Sequence, residues 1–298
     1  MTPAANRRGI LALSLGMALY TVNDTCVKLV ASNLPLGQVL FLRGVFSVLF
    51  LLIALTAMRQ QGSLKLGFQK PVLWRSVFDA LGTVAFIGAL LHMNFADLAA
   101  VALTSPLILT ALAAITLKTP IGWRRWCAVA VGLTGTLFIV KPSAQTFDVW
   151  ALAGLAAAFF SAGRDLVTRS IHTAIPTLAV SVYGAVTIML TGAALGVGED
   201  WSMPTATQWL GIVVAALFLG MGTYFAVLAF RGVDIPTVAP FRYTLLFWTG
   251  LSGYFVFGDV LDRWSFVGAG LIALSGLYTL HRERVRHREI SGQALPPA

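Results

Sequence analysis

The chain has 298 residues, of which 57% are hydrophobic and only 11% are charged. A soluble globular domain usually carries about 25% charged residues, and the mean hydropathy of +0.81 departs in the same direction. Apolar stretches of about 20 residues, the length that crosses a bilayer, recur along the whole chain. The composition therefore excludes a soluble globular domain and predicts an integral protein with many membrane crossings.

Ten apolar helices are predicted along the chain, with short connections between them. Pro or Gly marks several connections, as in NLPLG at 33–37 and KTPIG at 118–122. The alternating ten-residue strands of an outer-membrane barrel do not occur, so a helical bundle must satisfy the backbone polar groups in hydrocarbon. The predicted spans, numbered 1 to 10, cover residues 9–31, 36–58, 72–93, 96–117, 123–141, 149–171, 174–197, 207–230, 235–257 and 264–281.

The basic residues are distributed unevenly over the connections, although a net charge of +9 alone could suggest a nucleic-acid partner. With the N-terminus inside, sixteen of the 21 Lys and Arg residues fall on the cytoplasmic side, if Arg164 snorkels to that side. Lys141 and Arg263 fall outside, and three basic residues lie within spans. This bias predicts cytoplasmic termini in a bacterial inner membrane. The basic segment at 281–289 is then a topology anchor, and no nucleic-acid partner is expected.

Two parts of the chain echo each other. ADLAAVALTSP at 96–106 aligns with VDIPTVAPFRY at 233–243, and GLTGTLFIV at 132–140 aligns with ALSGLYTL at 273–280. Because each repeat would hold five spans, an odd number, the second repeat enters the membrane from the opposite side. The predicted fold class is an all-α integral membrane protein with ten transmembrane helices, as two inverted five-helix repeats around a central cavity. The repeats and the cytoplasmic basic tail are predicted at 9–141, 149–281 and 282–298.

The segment FGDVLDRWSFVGAGLIALSG at 257–276, together with the ten-span layout, resembles the drug/metabolite transporter superfamily in its EamA-domain branch. In that family the penultimate helix of each half commonly ends near an acidic residue after Gly, a pattern that Gly258 and Asp259 match. The corresponding segment LKTPIG at 117–122 has no acid. The layout is similar to that of YddG-type exporters of aromatic amino acids. The resemblance implies a central cavity lined mainly by spans 3, 4, 8 and 9, with spans 1 and 6 as neighbours.

Five charged residues, Asp24, Lys28, Arg43, Asp79 and Arg242, are assigned to the membrane interior. A charge near the bilayer centre costs about 2.5–3.5 kcal/mol on insertion scales and marks a candidate site. Asp24 and Arg43 lie equally far from the outer ends of their spans, roughly 10 Å below the outer surface. Lys28 lies one turn outward of Asp24, so Asp24 is predicted to pair with Arg43, with Lys28 or with both. Asp79 and Arg242 share a depth on the inner side. Each pair could contact substrate or could be a fixed ion pair between helices.

Uncharged and histidine side chains complete the predicted cavity. Tyr20 lies one turn inward on the acidic stripe of span 1, and Tyr224, Tyr243 and Trp248 could stack on a planar substrate. The alternative is that these rings fill the bundle or lie at the membrane interface. His92, near the outer surface, is either a polar cap or a proton relay. The substrate-cavity candidates are Tyr20, Asp24, Arg43, Phe78, Asp79, Phe86, His92, Ser105, Tyr224, Arg242, Tyr243 and Trp248.

The sequence contains no Gly-x-Ser-x-Gly, His-Glu-x-x-His or phosphate-binding loop motif, so no catalytic residue, cofactor or metal is expected. The predicted function is a secondary transporter that exports small organic metabolites by alternating access. Aromatic or neutral amino acids are favoured, because an Arg could bind the carboxylate and an Asp the ammonium. A vitamin, drug or sugar derivative is an alternative substrate, and an intramembrane enzyme or scaffold is an alternative class. The expected partners are a small molecule and the lipid bilayer, and a monomer is favoured over a dimer.

Overall fold

The computed structural model describes residues 3–31, 33–116, 123–140, 149–168, 170–172, 174–229, 238–259 and 262–293, and no strand occurs among them. The α-helices are α1 (Pro3–Ala31), α2 (Leu36–Ala57), α3 (Ser63–Gly67), α4 (Lys70–His92), α5 (Phe95–Ala102), α6 (Ser105–Thr116), α7 (Trp123–Val140), α8 (Val149–Thr168), α9 (Thr177–Leu195), α10 (Ala206–Leu228), α11 (Thr244–Ser252) and α12 (Arg263–Gln293). Single turns of 3₁₀ helix lie at Gly196–Gly198 and Ala239–Tyr243, and a π-turn lies at Gly253–Phe257.

Helices lie at each of the ten predicted spans, which confirms the all-α prediction. α9 begins at Thr177 because Pro176 precedes it as the N-cap. α12 continues past span 10, because the Arg- and Glu-rich segment at 281–289 contains no Gly or Pro to end it. Parts of the predicted repeat at 117–122 and 230–237, as well as Lys141, lie outside the described residues.

Six helices in the described part of the chain are long and apolar enough to cross a membrane. Their outward surfaces carry large apolar side chains such as Ile53, Leu190 and Leu210, which are 62%, 58% and 64% exposed. A surface this apolar requires lipid rather than water around it. The chain is therefore a multi-pass membrane protein, and the full number of ten crossings stays a prediction. The six segments are Arg7–Ala31, Leu36–Ala57, Lys70–His92, Val149–Thr168, Thr177–Gly198 and Ala206–Phe225.

Span 4 is divided at the turn between α5 and α6. Pro106 has no N–H with which to continue the helix from α5. The carbonyl of Thr104 instead accepts from the amides of Leu107 at 2.9 Å and Ile108 at 3.0 Å, while its hydroxyl donates to the carbonyl of Val101 at 2.6 Å. The break thus pairs these polar groups inside the bundle, as a low-dielectric environment requires.

Span 9 ends in a tight turn at Gly258. Its φ of 70° lies in the left-handed region that favours glycine. The turn directs the chain back over the π-turn, and the amide of Asp259 donates to the carbonyl of Gly253 at 2.9 Å. The carboxylate of Asp259 is thereby held against the start of α5, where it accepts from the amide of Phe95.

Four helix pairs make the main contacts of the bundle: α1 with α10, α2 with α9, α4 with α8, and α7 with α12. Each pair joins a helix of residues 3–140 to a helix of residues 149–293. α7 and α12 approach closely at Gly135 and Gly268, where a Cβ on either glycine would lie within 3 Å of the carbonyl oxygen of the other. The core therefore lies between the two halves of the chain.

Candidate functional site

A network of charged side chains joins α4 to α8. One oxygen of the Asp79 carboxylate accepts from Nη1 of Arg164 at 2.9 Å, and the other lies 3.5 Å from Nη1 of Arg75. Arg75 and Asp79 are one helical turn apart and so lie on one face of α4. Arg164 reaches them because α8 packs along that face. The prediction that Arg164 snorkels to the membrane surface is wrong, because its guanidinium is held inside the bundle by Asp79.

The same network continues to span 9. Arg164 donates through Nε and Nη2 to one oxygen of Asp165, at 3.1 Å and 3.0 Å. Nη1 of Arg242, in the 3₁₀ turn before α11, lies 3.8 Å from the other oxygen of Asp165. Asp79 and Arg242 do not pair with each other, because each pairs with α8, which places Arg164 and Asp165 between them. We call Arg75, Asp79, Arg164, Asp165 and Arg242 the inner network, after the predicted orientation.

Tyr20 of α1 lies beside the inner network. Its hydroxyl donates to Oγ1 of Thr223 on α10 at 3.2 Å. The ring packs closely on Gly222, where a Cβ would lie 3.0 Å from it. Tyr20 is also within electrostatic range of Arg164 and Arg242. The first predicted candidate therefore does lie next to the charged residues of spans 3, 6 and 9.

A second group of charges lies one turn further along α1. Nδ2 of Asn23 donates to the Asp24 carboxylate at 2.7 Å, and its carbonyl oxygen is 3.4 Å from Nη1 of Arg43 on α2. Asn23 and Arg43 are 2% and 4% exposed. Asp24 and Arg43, the predicted pair, are therefore not in direct contact, because the side-chain amide of Asn23 lies between them. The Asp24 carboxylate still balances the charge of the buried guanidinium through that amide.

A third group of contacts lies near the C-terminal end of α1. It joins α1 to the start of span 4 and to the end of span 9. Nζ of Lys28 lies 3.5 Å from the Asp259 carboxylate and donates to the carbonyl of Met93 at 3.0 Å. The same Asp259 oxygen accepts from the amide of Phe95 at 3.0 Å. The alternative that Lys28 pairs with Asp24 is wrong, because the Gly258 turn places Asp259 against the ammonium group.

Two further contacts strengthen this junction. Nζ of Lys28 lies 4.6 Å from the centroid of the Phe257 ring, within range of a cation–π interaction. The hydroxyls of Thr25 and Ser252 are 2.6 Å apart and link α1 to α11. We call Thr25, Lys28, Phe95, Ser252 and Asp259 the outer cluster.

The predicted aromatic candidates are not brought together as one stacking surface. Tyr243 packs against Gly276 of α12, where its phenol ring leaves no room for a Cβ. Trp248 packs against a different cluster that includes Leu13 and Met17 of α1. Tyr224 is 49% exposed on α10. Tyr243 and Trp248 fill separate interfaces and Tyr224 lies on an exposed face, which agrees with the alternative that these rings fill the bundle or lie at the membrane interface.

The remaining candidates also lie in helix contacts. Phe78 lies 6.3 Å from Phe160 between α4 and α8, and Phe86 packs against the main apolar core. Ser105 is buried at the start of α6. His92 stacks on Trp150 with ring centroids 3.6 Å apart, and its Nδ1 lies 2.9 Å from the carbonyl oxygen of Gly88. None of these four contacts the inner network through a bond seen in the described residues.

Arg75, Arg164 and Asp165 belong to the inner network but were not among the predicted site residues. A sequence signal for Asp165 does exist. Span 1 carries Asp24 and a base four residues later, and span 6 carries Asp165 and a base, Arg169, at the same spacing. The separation of the two acids, 141 residues, equals that between the aligned GLTGTLFIV and ALSGLYTL segments. Arg169 itself lies outside the described residues.

Several transporters of small molecules resemble this chain along most of its length. A riboflavin transporter of Rhizobium johnstonii is 27% identical over 73% of this chain and 72% of its own. The pseudopaline exporter CntI of Pseudomonas aeruginosa is 26% identical over 90% and 94%. An S-adenosylmethionine uptake transporter of Rickettsia prowazekii is 24% identical over 93% of both chains. These relatives indicate a transporter rather than an enzyme.

A solved crystal structure aligns with 96% of this chain and 99% of its own, with a TM-score of 0.64 and 18% identity. At that identity the likeness concerns the fold alone. The EamA-like transporter family matches residues 7–141, which confirms the resemblance predicted from the sequence. Residues 7–141 are therefore a domain of the EamA-like transporter family, in a chain whose relatives are transporters within the drug/metabolite group.

Proposed function

We propose that this protein is a secondary transporter that carries a small organic metabolite across the bacterial inner membrane by alternating access. The observation that carries the proposal is the meeting of charged side chains from both halves of the chain at separate depths of an apolar bundle. Charged residues within membrane helices are rare because they are energetically costly, and they mark a substrate pathway or pair with one another to close it. The inner network joins span 9 to α4 and α8, whereas the outer cluster joins span 9 to α1 and to the start of α5.

The pattern of helix packing supports an inverted duplication, with proposed repeats at 9–141 and 149–281. The main pairs, in span numbers, are 1 with 8, 3 with 6, 2 with 7, and 5 with 10. Exchanging each span with the one five places along turns the pair 1–8 into 6–3 and leaves the other two pairs unchanged. Spans 4 and 9, which exchange with each other, are both interrupted. This is the symmetry on which alternating access by rocking of two halves depends.

The outer cluster supplies a candidate gate for such a cycle. It joins α1 to span 9 by the Lys28–Asp259 ion pair and the Thr25–Ser252 hydrogen bond. Lys28 also donates to the carbonyl of Met93, and Asp259 accepts from the amide of Phe95 at the start of α5. Opening on that side would require these contacts to separate. Because they are short and mostly buried, we propose that the structure represents a state closed at the outer cluster.

The substrate is proposed to be a metabolite from a wider range than neutral or aromatic amino acids. The named relatives handle riboflavin, pseudopaline and S-adenosylmethionine. They include an exporter and uptake transporters, so the relatives do not favour one direction. Export of an amino acid, which the sequence favours, is therefore one case within this proposal.

Transport by the purified protein in proteoliposomes tests the proposal. The panel contains riboflavin, S-adenosylmethionine, a metal-chelating polycarboxylate and the aromatic amino acids. We expect saturable flux of at least one compound, with empty liposomes as the control. Absence of flux for the whole panel, from protein with a cooperative unfolding transition, would contradict the proposed function.

The orientation has its own experiment. Reporter fusions at both ends of the chain are expected to show both termini in the cytoplasm, as the distribution of basic residues predicts. Termini on opposite sides would rule out ten crossings and with them the inverted repeat.

A further inference from the structure

We propose that the inner network binds an anionic group of the transported metabolite, a carboxylate or a phosphate, through Arg242 and Arg75. This inference rests on the proposed transport function and specifies the chemical class of its substrate.

The inner network carries an excess positive charge. It contains three guanidinium groups, those of Arg75, Arg164 and Arg242, but only the two carboxylates of Asp79 and Asp165. The neighbouring Asp24 and Arg43 balance each other and do not remove the excess. An uncompensated charge is costly inside an apolar bundle, so the network as described lacks one negative charge.

The hydrogen-bond geometry locates the excess. Each of the three guanidinium nitrogens of Arg164 has a carboxylate partner, because Nη1 donates to Asp79 while Nε and Nη2 donate to Asp165. Arg242 is 3.8 Å from Asp165, beyond hydrogen-bond distance, and its side chain is 40% exposed. The two carboxylates therefore pair mainly with Arg164, and the Arg242 guanidinium makes no hydrogen bond to another described residue.

Arg75 also has a free donor. Its Nε is buried and has no hydrogen-bond partner in the described part of the chain, and its contact with Asp79 is a long one at 3.5 Å. A guanidinium group presents its N–H donors as a fork that matches a carboxylate or a phosphate. Arg242 and Arg75 thus have the unfilled donors that an arriving anion would use, while Arg164 holds the frame.

Pairs of ligands that differ in one anionic group test this inference. Riboflavin is compared with its 5′-phosphate, and phenylalanine with phenylalaninamide, by binding and thermal unfolding of the purified full-length protein. We expect the phosphate or carboxylate member of a pair to bind more tightly. We expect Arg242→Gln to weaken that member at least tenfold and to leave the other unchanged.

Two variants control the experiment. Arg59→Gln removes the same charge from an exposed site outside the network and should leave the affinity unchanged. Arg242→Lys keeps the charge without the fork and should lie between the wild type and Arg242→Gln. Equal affinity within both pairs, no binding of either anion at millimolar concentration, or equal losses in Arg242→Gln and Arg59→Gln would overturn the inference. Flux of an anionic metabolite that Arg242→Gln leaves unchanged would overturn the anion site while the transport function stands.

Discussion

The outer cluster and the inner network both join helices across the bundle, but they balance charge differently. In the outer cluster one Lys meets one Asp, and both groups also bond to backbone atoms of span 4 or its connection. Their side chains are only 15% and 17% exposed, against 40% for Arg242 in the inner network. The outer cluster is neutral and its charged groups are hydrogen-bonded, so it is suited to holding helices together, and we call the Lys28–Asp259 contact the clamp. The inner network is cationic and partly exposed, so it is suited to binding a ligand.

The proposed repeat predicts an ion pair like that of Lys28 and Asp259 on one side of the membrane only. Lys28 follows Asp24 by four residues and meets Asp259, the acid after Gly258. In the other half, Arg169 follows Asp165 at the same spacing, but the segment that corresponds to Asp259, LKTPIG at 117–122, contains no acid. The sequence therefore predicts no equivalent ion pair on the inner side, and the proposed closed state at the outer cluster agrees with that asymmetry.

Locking the outer cluster is expected to have the largest effect on transport. Cys26 and Cys127 are the only cysteines in the sequence, so a cysteine-free background needs two substitutions. Because the hydroxyls of Thr25 and Ser252 are 2.6 Å apart, the pair Thr25→Cys and Ser252→Cys should form a disulfide on oxidation. We expect flux in proteoliposomes to fall at least tenfold and to return on reduction.

Each single cysteine variant controls for oxidation itself and should keep its flux. Formation of the disulfide is followed by loss of maleimide labelling. Full flux through quantitatively cross-linked protein would show that α1 and α11 need not separate during transport, and the outer cluster would then not be a gate.

Removing the central base of the inner network is expected to have the largest effect on stability. Arg164→Gln leaves the carboxylates of Asp79 and Asp165 without their short partner, and breaking a buried ion pair on one side costs about 3–5 kcal/mol. We expect a loss near the lower figure, because Arg75 and Arg242 remain nearby. The free energy of unfolding in detergent measures it.

Arg242→Gln is the matched comparison within the same network. Its ion pair with Asp165 is long and partly exposed, so its loss should cost less than about 1 kcal/mol. If Arg164→Gln and Arg242→Gln lowered the free energy of unfolding by similar amounts, Arg164 could not be distinguished as the structural residue of the network and Arg242 as the one available to a ligand.

Breaking the outer ion pair is expected to have an intermediate effect. Asp259→Asn leaves Lys28 without its counter-charge and weakens the acceptor for the amide of Phe95, which we expect to cost about 2 kcal/mol. A double-mutant cycle with Lys28→Gln isolates the pair, because the double variant should lose less than the sum of the single ones. Additive losses would mean that Lys28 and Asp259 are not coupled.

The sequence predicted the helices, but not which buried charges pair. The common depth of Asp79 and Arg242, counted in residues along apolar helices, stays a prediction, and the structure links the two residues through Arg164 and Asp165. Partners depend on which helices face each other, and the bundle pairs spans from opposite halves, whereas Asp24 and Arg43 were paired from consecutive spans. Arg164 was misread because, in sequence, a base near a helix end looks the same whether it faces lipid headgroups or a carboxylate inside the bundle.

Glu199 offers the smallest and most specific test of how the outer side is held. Its two oxygens accept from the amides of Gly37 at 2.9 Å and Gln38 at 3.2 Å, at the start of α2. Asp259 accepts from the amide of Phe95 in the same way, but Asp259 also forms an ion pair with Lys28. Substituting Glu199 therefore measures the contribution of helix capping to stability by itself. Carboxylates at helix N-termini contribute about 0.5–1 kcal/mol, and we expect Glu199→Gln to lose that much of the free energy of unfolding.

The exposed neighbour Asp200 supplies the control, since Asp200→Asn removes the same charge beside the same turn and should change stability by less than about 0.5 kcal/mol. If Glu199→Gln instead cost as much as Asp259→Asn, the amide contacts would account for the whole effect at Asp259. Lys28 would then add nothing to the clamp. The difference between the two carboxylates therefore decides whether the outer cluster is held by its ion pair or by helix capping.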